Sequence, residues 1–407
     1  MKVLMLGWEL PPNNSGGLGV ACYQLCKALS KKSVEIKFVL PYCSDLKCDF
    51  MTVVSSSTST SFGIGTIGND KYVYDDFHLI RNESGDIIWP KENKQISLYE
   101  DTIVQIAESS DFDIIHAHDW LSSRVAIRAK EISNKPLILH IHSIEADRAG
   151  GQGNGNPLIR EIERHAMSMA DRIVAVSYHT RNSIVREYGI PEDKIDVIHN
   201  SIDSSWYEPL DSENVYRYLT KMKSNGYRVI VNVGRITIQK GLYNLLYAAK
   251  AVIDRLPKTI FLIVGNGEQE IELLELTAQL GISRNVIFTG FQRGKNLRDA
   301  YAIGDLFVMP SISEPFGLAP LEAIGYGTPT LISRQSGVSE ILLNTLRVDY
   351  WDVHEMANII YSVAKHDALR DELHNKAEAE YNKLSWEVAA DKLLEVYERN
   401  INRLLPA

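Results

Sequence analysis

At 407 residues the chain exceeds what one hydrophobic core usually organises, which favours two or more domains. Its composition, 45% hydrophobic and 23% charged with a net charge of −9, is that of a globular protein and excludes the broad basic surface that nucleic-acid binding requires. No apolar run approaches the roughly 18 residues of a spanning helix, and no cluster of about 4–8 Lys/Arg marks an anionic lipid surface, so a cytoplasmic location with at most peripheral membrane contact is expected.

The first residues, MKVLMLGW, read as a short strand rather than a secretory leader. GLGVACYQLCKALSKK (17–32) follows as a helix with Val20, Leu25, Ala28 and Leu29 on its apolar face. Its Cys22 and Cys26, like Cys43 and Cys48, form no CxxC pair and are expected to be small buried hydrophobes in a reducing compartment. VEIKFVLP is the next strand, and the Ser/Thr run SSSTSTSF reads as a flexible loop. TIVQIAE is helical, FDIIHAH a strand, SSRVAIRAKEI a helix, PLILHIHS a strand, IREIERHAMSMA a helix and RIVAVS a strand. HTRNSIVREYG is a helix closed by glycine, and IDVIHN a strand. Residues 201–225 break the pattern and read as a connection containing some helix.

The alternation then restarts. Strands RVIVNVG, TIFLIVGNG, NVIFTG, LFVMPS and PTLIS alternate with helices GLYNLLYAAKAVI, EQEIELLELTAQLG, LRDAYAIG and APLEAIGYG. Helices near 353–366 and 369–383 precede a last one, WEVAADKLLEVYERNINRLL. Apolar strands alternating with helices predict parallel sheets buried on both faces. Two such series predict an α/β chain of two doubly wound domains, 1–203 and 204–385, followed by a C-terminal helix over 386–407. Ligands are expected at the carboxyl ends of the strands, in the cleft between the domains.

Several motifs sit at those strand ends. NNSGGLG (13–19) follows the first strand and opens a helix, where glycines and free N–H groups suit a phosphate; a plain strand-to-helix turn is the structural alternative. HAHDW (116–120) and HIHS (140–143) place His116 with His118, and His140 with His142, on shared faces. Hydrogen bonding in a cleft or core is expected of them rather than metal binding, with His118, Asp119 and His142 nearest the cleft. DFD (111–113) precedes its strand, at the opposite edge, and reads as a surface turn. VGRITIQKG (233–241) sets Arg235 at a strand end and Lys240 before a helix, where two cations can neutralise a diphosphate or remain solvated at the surface. VGNGEQE (264–270) has acids where a dinucleotide loop needs its third glycine and reads as a tight turn.

SEPFGLAPLEA (313–323) is the densest motif. Pro320 suits the first turn of a helix beginning near Leu318 or Ala319. Glu314 then lies on the loop before that helix and Glu322 early within it, with the N–H groups of Phe316 to Leu318 between them.

Taken in order, GWELPPNNSGGLG, HAHDW, HIHSIEADRAGG, VGRITIQKG, SEPFGLAPLEA and VDYWDVHEMA resemble the retaining glycosyltransferases of the two-Rossmann-domain GT-B fold, on the glycogen and starch synthase side of family 4. The resemblance covers nearly the whole chain. It implies transfer of a hexose, glucose first, from UDP-glucose or ADP-glucose to a glycan or other hydroxyl acceptor, with retention and without a metal or other cofactor. It also implies that the last helix crosses back to the first domain. By the same resemblance, Gly16, Gly17 and Gly234 approach the donor. Arg235 and Lys240 bind its diphosphate and stabilise the leaving group. Glu314 and the N–H groups of Phe316, Gly317 and Leu318 hold sugar and phosphate, Glu322 binds the ribose hydroxyls, and His142 and Asp119 line the sugar site. Many glycogen and starch synthases carry a lysine two residues before the paired glycines; Asn14 stands there in this chain.

Four other readings are set beside this one. A transferase of the same kind can act on a lipid-linked or small-molecule acceptor in cell-envelope glycan synthesis. A glycoside hydrolase would use Glu314 and Glu322 as an acid pair about 5–9.5 Å apart. A sugar-nucleotide epimerase shares a similar fold, and a silent binding protein would not need the retained charges.

Overall fold

The protein is described by a computed structural model covering residues 1–14, 16–56, 80–81, 87–88, 94–109, 111–151, 155–203, 208–211 and 213–402. The chain divides into two compact units. Met1–Ala146, Asn154–Asn200 and Trp386–Ala407 form the first; Asp147–Gly153 and Ser201–Ser385 form the second.

In the first unit the strands are β1 (Lys2–Leu6), β2 (Glu35–Leu40), β3 (Thr52–Ser55), β4 (Ile80–Arg81), β5 (Ile87–Ile88), β6 (Ile114–His118), β7 (Leu137–Ile141), β8 (Arg172–Ala175) and β9 (Ile195–Val197). Seven of them make one parallel sheet in the order β3-β2-β1-β6-β7-β8-β9, while β4 and β5 pair antiparallel by themselves. Strands β6 and β7 are buried at every position, the pattern of a sheet covered by helices on both faces. Chain order and spatial order part company between β1 and β6. A reversal of strand order of this kind is where the loops of an open α/β sheet part and ligands usually bind.

The second unit repeats the plan. Strands β10 (Arg228–Val233), β11 (Thr259–Val264), β12 (Val286–Phe288), β13 (Leu306–Met309), β14 (Thr330–Ser333) and β15 (Leu346–Val348) form a parallel sheet in the order β12-β11-β10-β13-β14-β15. Its order reverses between β10 and β13. Each unit has its own core, the first around Leu4, Phe38, Ile115 and Val174, the second around Phe261, Leu246, Val308 and Ile360.

The last helix, Trp386–Asn402, buries Trp386, Ala389, Ala390, Leu393, Val396 and Tyr397. That spacing is one stripe of a 3.6-residue period, and it packs in the first unit's core along the helix Gly17–Ser30.

The structure differs from the sequence reading at several short elements. β3 claims Ser55 from the Ser/Thr run, because Thr52, Val53 and Val54 are β-branched and complete a sheet edge. The run from residue 57 onward lies outside the described residues. Three-residue β15 was not anticipated, nor was the one-turn helix Glu145–Arg148, since both are too short for a periodic signal. The predicted connection 201–225 holds the helix Arg217–Ser224.

Candidate active site

In the first unit, three of the loops read from sequence leave the carboxyl ends of β1, β6 and β7. After β1, Gly16 is the N-cap of the helix Gly17–Ser30 in extended conformation, and a Cβ added there meets nothing within 4 Å. Gly17 is exposed and opens the helix, and Asn14 turns inward, its Nδ2 donating to the Gly16 carbonyl at 2.9 Å. One turn on, Gly19 is the packed glycine: its N–H donates to Glu9 Oε1 at 3.1 Å, and a Cβ would lie 2.7 Å from Asn14 Cβ. Among the described residues the space beside Gly16 is thus open, and the tight contact lies at Gly19.

After β6, Asp119 adopts φ 55°, a conformation rare for a residue with a side chain and held only where the surroundings over-determine it. Two hydrogen bonds supply that constraint. The Asp119 N–H donates to the His140 carbonyl at 2.9 Å, and Asp119 Oδ1 accepts from the His142 N–H at 2.7 Å. Sequence reasoning set Asp119 beside a sugar; this bond shows the carboxylate holding the turn that carries His142.

Histidines from β6 and the β7 end form a continuous stack. His118 pairs with His140 in register. His116 Nε2 and His140 Nδ1 are 3.2 Å apart, His118 Nδ1 and His142 Nε2 2.9 Å, and His116 Nδ1 meets Tyr397 Oη at 2.5 Å. Burial holds His116, His118 and His140 well below the ordinary imidazole range and pushes His142 down to about 3, so all four are neutral at physiological pH. His142 alone of the four is half-buried rather than buried.

In the second unit the loops after β10 and β13 meet. Gly234 and half-buried Arg235 follow β10, and a Cβ on Gly234 would come 3.9 Å from the Lys240 chain. Lys240 ends the short 3-10 turn Ile238–Lys240 and points its ammonium at Glu314: Nζ to Oε2 is 2.5 Å. Both side chains are largely withdrawn from water, at 20% and 9% exposure, so each charge depends on the other for compensation. Ser311 Oγ adds a bond to Glu314 Oε2 at 3.0 Å. The Glu314 main chain is pinned on both sides, its N–H donating to the Gln335 carbonyl and its carbonyl accepting from Gly337, each at 2.9 Å. Phe316 is buried, and its carbonyl accepts from Val338 at 2.8 Å.

Gly317 has φ 96°, and a Cβ there would stand 2.9 Å from Met309 Cε and 3.1 Å from Glu314 Cγ. Only glycine satisfies both restrictions. Leu318 is the N-cap of the helix Ala319–Gly325, which starts where Pro320 leads one to expect. Glu322, half-buried in its first turn, accepts from Tyr301 Oη at 2.5 Å. Burial, and after it the Glu322 carboxylate, pushes the Tyr381 hydroxyl up to about 12.

Sequence reasoning missed Tyr301, Ser311 and Asp147. Asp147 belongs to the second unit, where Oδ1 accepts from Ser313 Oγ at 2.6 Å. No local spacing could reveal the Tyr301 and Asp147 bonds, because they join separate elements; Ser311 lies three residues before Glu314 on one loop, and only the folded loop brings its hydroxyl to the carboxylate. DFD proves structural: Asp111 pairs with Lys2 Nζ at 2.6 Å, and Asp113 accepts from the Lys2 N–H at 2.7 Å.

Comparison with known proteins identifies the architecture. Residues 15–206 match the family model of glycosyltransferase family 4, and residues 220–380 that of glycosyl transferases group 1. The chain is 27% identical to an uncharacterized glycosyltransferase of Methanocaldococcus jannaschii over 98% of each chain. It is 31% identical to the D-inositol 3-phosphate glycosyltransferase of Rhodococcus opacus, over 71% of this chain and 68% of that one. With the glycogen synthase of Mycobacterium tuberculosis it shares 26% identity over 84% and 80%. The fold matches that of Anabaena HepE, solved in complex with UDP and glucose, with a TM-score of 0.71 at 17% identity over 98% and 100% of the two chains. Two family models end to end, together with named relatives across most of their length, make this chain a member of glycosyltransferase family 4 with the GT-B fold.

Proposed function

We propose that the protein transfers a hexose, glucose first, from a nucleoside-diphosphate sugar to a hydroxyl acceptor with retention at the anomeric carbon. The observation that carries this reading is the Lys240–Glu314 pair at the head of the helix Ala319–Gly325, with Glu322 in the first turn of that helix. A cation for the diphosphate, a carboxylate for sugar hydroxyls, a helix start for phosphate and a second carboxylate for ribose lie on two adjoining loops. Arg235 adds a second cation on the loop after β10. In the first unit, Gly16 and Gly17 lie on the loop after β1, and Asp119 and His142 on the loops after β6 and β7.

Chemistry then needs no covalent nucleophile. The acceptor hydroxyl attacks the anomeric carbon on the face the diphosphate leaves, and the departing phosphate oxygen takes the acceptor's proton. Lys240 and Arg235 hold the charge that grows on the diphosphate, and the loops fix the geometry. The cations take the place a metal would otherwise fill, so transfer is expected without one. A hydrolase would need Glu314 and Glu322 to face each other across a bond. Here an ammonium and a hydroxyl engage Glu314, and a phenol engages Glu322, which suits positioning rather than acid–base exchange.

The donor class is supported by the HepE complex with UDP and glucose. Asn14, bonded back to its own loop where many glycogen and starch synthases carry lysine, favours UDP-glucose over ADP-glucose. A glucan is the first acceptor to try. A phosphorylated polyol is the second, because the inositol-phosphate relative is more similar in sequence than the glycogen synthase. A screen of nucleotide sugars by thermal shift, followed by acceptor trials with the strongest binder, tests the reading. Stabilisation by a nucleoside-diphosphate hexose supports it; indifference to every nucleotide sugar with cleavage of free oligosaccharide would reverse it.

A further inference from the structure

We infer that Cys22, His118 and His142 of the first unit form a binding site for a thiophilic divalent metal of the zinc class, His142 being shared with the proposed sugar site. One ligand atom from each of the three lies within 4.8 Å of the others. In a tetrahedral zinc site with bonds of about 2.0–2.3 Å, ligand atoms stand roughly 3.3–3.8 Å apart, so small side-chain shifts suffice. The three come from rigid elements: Cys22 from the helix Gly17–Ser30, His118 from the end of β6, and His142 from just beyond β7.

The surroundings select the kind of ion. A thiolate with two neutral imidazoles suits zinc and its neighbours and disfavours magnesium and calcium, which take oxygen ligands. Met5 Sδ, 3.2 Å from His118 Nε2, adds a polarisable neighbour. Burial, more than the carboxylates of Asp119 and Glu9, pushes the Cys22 thiol well up from its ordinary value, so an ion must displace the thiol proton to solvent as it binds. Half-buried His142 gives an ion its way in. A second triad, His116, His118 and His140, shares His118 but is buried throughout, with His116 Nδ1 engaged by Tyr397 Oη. Occupancy of the outer site fastens His142 by one ring nitrogen, so metal binding and use of that residue at a sugar compete.

The test is a titration of the full chain, stripped with chelator, with Co2+ alone and then Zn2+, in the absence of any nucleotide sugar. Expected are one equivalent of Co2+, tetrahedral visible bands, a thiolate-to-cobalt charge-transfer band, and displacement by Zn2+. Cys22→Ser abolishes the charge-transfer band and weakens Zn2+ binding by on the order of 100-fold or more, beyond what loss of an outer-shell partner does. A Cys43→Ser/Cys48→Ser chain binds as the parent does. His142→Gln, at the half-exposed position, repeats the test if Cys22→Ser fails to fold. Absence of stoichiometric binding, or an unchanged band and affinity in both variants, overturns the site. Binding that survives them but disappears in His140→Gln assigns the metal to the deeper triad and overturns it equally. Nucleotide binding is measured separately, so either reading can fail alone.

Discussion

Lys240 Nζ and Glu314 Oε2 stand 2.5 Å apart, joining the loops that follow β10 and β13 at the point where the second sheet reverses its strand order. Before any donor arrives, the cation expected at the diphosphate and the acid expected at the sugar compensate each other. On the proposed reading, the ammonium would exchange part of that contact for phosphate oxygens when the donor binds, without leaving either charge alone.

Lys240→Ala separates the two roles of this pair. Loss of a preorganised cation lowers turnover by roughly 100-fold or more. The stranded Glu314 carboxylate also costs about 1–3 kcal/mol of stability. Adding Glu314→Gln to Lys240→Ala recovers most of the stability and none of the turnover. Denaturant melts and steady-state rates on the three proteins check this; recovery of both would make the pair purely structural.

Tyr301→Phe removes the hydroxyl that orients Glu322. A hydrogen bond to a charged group contributes about 1.5–3 kcal/mol, so the donor KM rises roughly 10-fold or more. If Glu322 grips the ribose equally before and during transfer, kcat stays within about twofold. A fall in kcat at constant KM would place Glu322 at the reacting centre.

Two glycines make opposite predictions. Gly317→Ala meets a positive φ and a 2.9 Å contact with Met309, and loses about 1–3 kcal/mol. Gly16→Ala meets nothing, so stability changes by less than about 0.5 kcal/mol while the donor KM rises. Thermal melts with donor titrations read both; an unchanged donor KM in Gly16→Ala would remove that loop from the donor site.

Asp119→Asn keeps an acceptor for the His142 N–H and tolerates φ 55°, whereas Asp119→Ala keeps neither advantage. The alanine variant is therefore expected to lose about 1–3 kcal/mol of stability and at least roughly 10-fold in turnover, with asparagine close to the parent. Equal losses in both would show that the Asp119 charge, not its hold on the turn, matters.

The parallel sheets and the restart after residue 225 were legible because each repeats a period over many residues, buried strands of three to six residues and then amphipathic helices, and the helix at Ala319 was legible from Pro320. The motif loops were legible because Gly, Pro and charged residues punctuate strand ends. What escaped depends on contacts across the fold. Nothing near LRDAYAIG says that Tyr301 meets Glu322, and nothing in DRAGG says that Asp147 meets Ser313. Pairing Lys240 with Glu314 required both loops to fall at the strand-order reversal, which is a property of topology rather than of either motif.

The central claim is that the loops around Lys240 and Glu314 bind a nucleoside diphosphate. Isothermal titration of UDP and of UMP into the purified chain, beside its Lys240→Ala and Arg235→Ala variants, tests it most directly. Expected are saturable, one-to-one binding of UDP, weaker binding of UMP, and loss of UDP affinity by about tenfold or more in each variant. UDP binding that is absent from the parent and remains absent with ADP, or that is undiminished in both variants, would contradict it.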